Sequence, residues 1–143
     1  MASGAGTTGG GLRASEHFAG SLLRNCQAGG DAGSQATGFY FTGGVFNNNL
    51  IEKCWANSTT QGMYVDDYLQ GGTLVRQNSF YGGTYGIRDA SAETTLLGLA
   101  LYTGNWCGGG STGLSVANGG TYRCVGNWIS NAGSGGTYVD STG

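Results

Sequence analysis

The chain has 143 residues, enough for one domain, with 31 glycines, no proline and 10% charged residues against about 25% in an average domain. Its net charge is −2 and its pI is near 5.0; with no basic run, nucleic acid is not expected as a partner, and no apolar stretch approaches the roughly 18 residues of a membrane helix. Glycine without proline or a three-residue period, beside 11% aromatic residues, is neither collagen-like nor a disordered linker and points to a turn-rich all-β protein.

Residues 1–10 belong to the opening "MASGAGTTGGG" and read as a flexible Gly-rich arm; residues 11–143 read as the domain. The arm has neither the basic stretch nor the apolar stretch of a secretory signal. A role outside the cell then implies release within virus particles or cutting from a longer protein.

From residue 11 onward one short pattern recurs: "GLRA" (11–14), "GFYF" (38–41), "GMYV" (62–65), "GIRD" (86–89), "GLSV" (113–116) and "GTYV" (136–139). The opening glycines are 27, 24, 24, 27 and 23 residues apart. A second mark lies inside each full repeat, at "NCQ" (25–27), "KCW" (53–55), "NSF" (78–80), "NWC" (105–107) and "NWI" (127–129). A unit of about 24 residues is too short for helical repeats and propeller blades, and the consensus leucines of a leucine-rich repeat are missing. It fits one turn of a parallel β-solenoid, in which short strands stack about 4.8 Å apart.

The register predicts columns. After each glycine, the first position reads Leu12, Phe39, Met63, Ile87, Leu114, Thr137 and the third reads Ala14, Phe41, Val65, Asp89, Val116, Val139; strand alternation places both inside. The middle position, Arg13, Tyr40, Tyr64, Arg88, Ser115, Tyr138, falls outside. Two further core columns are expected at Gln27, Trp55, Phe80, Cys107, Ile129 and at Leu22, Leu50, Val75, Tyr102, Cys124. The Asn of the second mark belongs at a bend, where Asn tolerates left-handed backbone and bonds the next turn; Lys53 interrupts that Asn series.

This G-φ-x-φ pattern with an N-x-φ bend resembles the right-handed parallel β-helix superfamily of pectate-lyase-like enzymes and phage tailspikes, over roughly residues 11–139. The resemblance implies an all-β, single-stranded right-handed parallel β-helix (solenoid) of about five to six turns. It also implies that, in an enzyme, outer-face carboxylates act; the candidates are Asp66, Asp67 and Asp89, with Arg88 beside them. Glycoside hydrolysis needs two carboxyls about 5–9.5 Å apart. The plainer reading makes Asp66 and Asp67 turn residues, and has Asp89 end its strand and begin the longer loop of 89–106, since an unpaired buried carboxylate is too costly.

Tyr40, Tyr64, Arg88 and Tyr138 form one candidate stripe for a subunit interface or a glycan, and Trp106 and Trp128 a second. Of the four cysteines, Cys26 and Cys54 share a column on adjacent turns; free thiols or a Cys26–Cys54 bridge are both open. His17 reads as a solvated residue, and neither a metal nor a cofactor is expected. With no capping helix visible at either end, the chain is expected to be covered by copies of itself, by other proteins or by a longer parent. The reading as a whole is a structural phage virion component (tailspike, fibre or capsid-decorating protein), extracellular, homo-oligomeric with a trimer favoured, contacting other virion proteins and cell-surface polysaccharide. The alternative is a polysaccharide lyase or glycoside hydrolase.

Overall fold

A computed structural model describes residues 10–29, 36–90, 92–93, 99–116 and 121–131. Five circuits of chain follow one another. They are β1 (Gly10–Ala19), β2 (Leu22–Arg24) and β3 (Gln27–Ala28); β4 (Thr37–Asn47), β5 (Leu50–Glu52) and β6 (Trp55–Ser58); β7 (Gln61–Gly71), β8 (Leu74–Arg76) and β9 (Ser79–Gly82); β10 (Tyr85–Asp89), β11 (Ala92–Glu93), β12 (Leu99–Thr103) and β13 (Trp106–Gly109); and β14 (Thr112–Val116), β15 (Thr121–Val125) and β16 (Trp128–Asn131). Each circuit contributes a strand to each of three parallel sheets. The first sheet is ordered β1-β4-β7-β10-β14 with β11 beside β7, the second β15-β12-β8-β5-β2 and the third β16-β13-β9-β6-β3. The protein is therefore an all-β parallel solenoid, and the described residues contain no helix.

The repeated glycine has a steric cause. A Cβ on Gly38 would lie 2.5 Å from the carbonyl oxygen of Gly62, and a Cβ on Gly62 or Gly86 would lie 2.6 Å from that of the next glycine in the column. Successive circuits thus cross at a point where only a bare Cα fits. The columns after that glycine fall in the expected register: Leu12, Phe39, Met63, Ile87 and Leu114 pair in sequence, as do Ala14, Phe41, Val65, Asp89 and Val116.

Bends between the first and second sheets fall on Gly20, Asn48 and Gly72, and those between the second and third on Asn25, Lys53, Gln77, Gly104 and Gly126; each of these residues has positive φ. The second bend sits one residue earlier than the sequence reading puts it for Asn78, Asn105 and Asn127. Each of those asparagines follows the left-handed residue and turns inward. Asn78 Nδ2 donates to Ile51 O at 3.0 Å, Asn105 Nδ2 to Val75 O at 2.9 Å and Asn127 Nδ2 to Tyr102 O at 2.9 Å. Their Oδ1 atoms accept from the residue in the circuit before: Cys54 N, Asn78 N and Asn105 N.

In the first two circuits the place of that Asn is taken by Cys26 and Cys54, not by Asn25 and Lys53. Cys54 Sγ even imitates the amide, donating to Leu23 O at 3.7 Å. The correction shifts two expected core columns by one residue in those circuits, and a one-residue shift reverses the facing of a strand. Gln27 and Trp55 pair with Ser79, Trp106 and Trp128 on the outside, whereas Ala28 and Ala56 line up with Phe80, Cys107 and Ile129 inside. Likewise Leu22 and Leu50 lie outside with Leu74 and Leu101, and the core column is Leu23, Ile51, Val75, Tyr102 and Cys124.

The core is a single apolar rod that includes Phe39, Phe41, Phe46, Ile51, Met63, Val65, Phe80 and Ile87. It is complete over the middle three circuits. In the first, Leu12, Ala14, Leu23 and Cys26 are only half-buried, and in the fifth so are Cys124 and Ile129. Where about five to six turns are expected, about three have a sealed interior; within the described residues each outer circuit has a neighbour on one side alone. Residues 1–9, and the sixth copy of the pattern with Tyr138, lie outside the described residues.

Candidate functional site

Three outer faces carry side chains in register, and they differ in what those side chains do. On the first sheet the outer column is Arg13, Tyr40, Tyr64, Arg88 and Ser115. The Tyr40 and Tyr64 rings stack on each other with centroids 5.2 Å apart and planes 12° from parallel. The Arg13 guanidinium covers Tyr40 at 5.3 Å, and that of Arg88 lies 5.3 Å from Tyr64 and 5.0 Å from Tyr85. The rings stand on edge like books on a shelf, each face taken by a ring or a cation. Asp66 is exposed beside this stack; burial first, and the Asp66 charge second, push the Tyr64 phenol above its ordinary range.

Asp89 does not join Asp66. It ends β10 fully buried, and Tyr102 Oη donates to its Oδ2. The expectation that Asp89 leaves the core to begin a loop is therefore corrected: the side chain stays in and has a partner. A hydroxyl donor from the second sheet offsets part of the cost of burying the carboxyl. An acid inside the rod and one outside it cannot act on the two sides of the same glycosidic bond. Asp67 follows in β7, with its side chain outside the described residues.

On the second sheet the outer columns are Leu22, Leu50, Leu74, Leu101, Arg123 and Arg24, Glu52, Arg76, Thr103, Val125. Glu52 is buried between two arginines. Arg24 Nε donates to Oε1, and Arg76 reaches Oε2 from Nη2 at 2.6 Å and Nε at 2.7 Å. The Arg76 hydrogen bond, against the opposing effect of burial, holds the Glu52 carboxyl below its ordinary range. Beside this ion ladder runs a leucine column whose first member, Leu22, is 56% exposed. Neither the ladder nor the leucine column was visible in the sequence register, because the shifted alignment placed Leu22 and Leu50 inside.

On the third sheet the outer columns are Gln27, Trp55, Ser79, Trp106, Trp128 and, two residues on, Asn57, Tyr81, Gly108, Ser130. Trp106 and Trp128 stand in one column as expected, and Trp55 joins them. Their exposures are 38% for Trp55, 37% for Trp106 and 71% for Trp128. A Cβ on Gly108 would lie 2.7 Å from Trp106 Cη2 and 2.8 Å from Tyr81 Cδ2. Gly108 faces outward yet is buried, so the Trp106 and Tyr81 rings roof its bare backbone.

The cysteines are free thiols. Burial pushes Cys54 up to about 11 and Cys107 up to about 12, and raises Cys124 with help from the Asp89 charge. These thiols stay protonated near neutral pH and are poor nucleophiles. Among the described residues no three of His, Cys, Asp and Glu come together to hold a metal, and no helix is long and apolar enough to cross a membrane. Comparison with protein-family models, curated proteins and solved structures finds no match to this chain.

Proposed function

We propose that the chain is a structural assembly module that works in several copies, and we read it as a phage virion component of the tailspike, fibre or capsid-decorating kind, with an attachment role outside the cell. The observation that carries the reading is the leucine column Leu22, Leu50, Leu74, Leu101 on the outer face of the second sheet. Leu22 is exposed and Leu50, Leu74 and Leu101 are half-buried, so the four form an apolar stripe partly open to water, a feature of contact surfaces. The Arg24–Glu52–Arg76 ladder beside it supplies a rigid polar rim. Three copies follow from the resemblance to phage tailspikes; the stripe itself requires only that copies meet on this face about a closed symmetry axis. The right-handed coil of the resembled superfamily also fits, since parallel crossovers take that hand in about 98% of cases.

Light scattering on the purified chain tests this. The expected mass is three times the 14.5 kDa of one chain, and Leu50→Glu with Leu74→Glu should reduce it to one. A wild-type monomer at micromolar concentration overturns the assembly reading. The exposed Asp66 beside Tyr64 supports the second reading, a polysaccharide-degrading enzyme. Release of reducing ends or unsaturated products from a bacterial polysaccharide, lost in Asp66→Ala, would establish that reading in place of the first.

A further inference from the structure

We propose that the outer face of the third sheet is a binding platform for an extended, uncharged polysaccharide. The proposal names the ligand of the attachment role and so rests on the reading of the chain as an attachment module. All three tryptophans of the chain stand in one column of this face. The Trp106 and Tyr81 rings both reach over the bare backbone of Gly108, and Trp106 still keeps 37% of its surface open to water. Among the described residues no ring or guanidinium stacks on any of these tryptophans, in contrast to Tyr40 and Tyr64.

The polar groups of the face decide the class of ligand. Ser79 stands between Trp55 and Trp106, Gln27 ends their column, and Asn57 and Ser130 stand in the column beside it, so the polar groups are amides and hydroxyls. Neither outer column of this sheet contains a charged side chain. A neutral pyranose fits such a surface: its C–H face lies on a ring, and its hydroxyls meet the amides at the ring edge. A uronate would be desolvated here without a cation to pair it. The polymer is periodic and so is the face, which repeats with the circuits about every 4.8 Å.

Affinity electrophoresis of the full chain in native gels tests the proposal, with hydroxyethyl cellulose, galactomannan and dextran as neutral probes and polygalacturonate and alginate as acidic ones. Retardation is expected with at least one neutral polymer and with neither acidic one. The same polymer should shift the tryptophan emission to the blue, because every tryptophan lies on this face. Trp106→Ala should weaken binding by about tenfold, the scale of one lost ring contact, and Trp106→Ala with Trp128→Ala should abolish it. Gly108→Val, which keeps the tryptophan but lifts its ring, should also weaken it, while Tyr40→Phe should not.

The proposal is overturned if no neutral polymer retards the chain, if only acidic ones do, or if the double variant binds as well as wild type. Conversion of an oligomer to a monomer by the double variant also overturns it, because this face would then lie between copies. Light scattering separates the two readings. An oligomer that no polymer retards sinks the platform and keeps the assembly, and a monomer retarded by a neutral polymer does the reverse.

Discussion

The first and third sheets both carry aromatic residues in register on their outer faces, yet the two faces offer opposite surfaces. On the first, Tyr40 and Tyr64 stand on edge, with their faces closed by each other, Arg13 and Arg88. On the third, Trp106 reaches over Gly108, and Trp55, Trp106 and Trp128 stay open to water, with no ring or guanidinium among the described residues stacked on them. The difference comes from what lies beneath and beside each ring. A glycine two residues along the same strand leaves room for the Trp106 ring over bare backbone; the adjacent long side chains Arg13, Tyr40, Tyr64 and Arg88 pack against one another instead. Stacked residues on a solenoid therefore need not form a ligand surface, and the upright column stabilises the fold instead.

Substitutions can break or sharpen this contrast, and the glycines should give the largest effect. Gly62→Ala on the first sheet puts a Cβ against backbone, 2.6 Å from the Gly86 carbonyl oxygen, and should cost about 3 kcal/mol or more in denaturant unfolding. Gly108→Ala on the third meets the Trp106 and Tyr81 rings first rather than backbone, so its unfolding free energy should fall less while tryptophan emission changes. Equal losses for the two would erase the distinction.

Next comes the ring stack. Tyr64→Ala removes one aromatic pair and one cation–π contact and should cost about 1–2 kcal/mol; a neutral result would mean that the upright column contributes nothing. The second sheet offers a pH test. A carboxyl whose folded pKa lies below its unfolded value adds stability above the unfolded value, about 4.3 for Glu, and loses it as pH falls through the folded one. Stability of the wild type should therefore drop from about pH 5 downward, and Glu52→Gln should flatten that drop in urea titrations at successive pH values. An unchanged acid slope would assign the drop to other carboxyls. The smallest effect is expected for Trp128→Ala, within about 0.5 kcal/mol in thermal unfolding, as for an exposed side chain without close partners. A loss as large as that of Tyr64→Ala would show that the third face, too, is part of the structural frame.

Much of the first sheet was legible in the sequence, because its glycine is irreplaceable and so marks every circuit. From that mark the inward and outward columns of residues 12–14, 39–41, 63–65, 87–89 and 114–116 follow by alternation. The other two sheets were legible only from the third circuit on. In the first two, a cysteine occupies the inward position held elsewhere by Asn78, Asn105 and Asn127, and the preceding Asn25 looked like the ladder residue. Lys53 and Gln77 adopt left-handed backbone with nothing in their chemistry to announce it. One misassigned residue moved Trp55 and the leucines Leu22 and Leu50 to the wrong side, so the third member of the tryptophan column and the leucine stripe went unseen.

Asp89 separates the two kinds of information. By itself the sequence determined that the chain coils with a period of about 24 residues and that position 89 belongs to an inward column, since both rest on sterics repeated in every circuit. Whether the carboxyl would accept that place depended on Tyr102, thirteen residues later on a different wall. The facing of the rings was settled in the same way, by neighbours one circuit away or by a bare backbone beneath them. Period and alternation are local properties of the backbone, repeated until they become legible. Which polar group finds a partner inside is decided by contacts between walls, as for Asp89 and Tyr102, and which ring is covered is decided by contacts between circuits, as for Tyr40 and Tyr64; both exist only once the coil has closed.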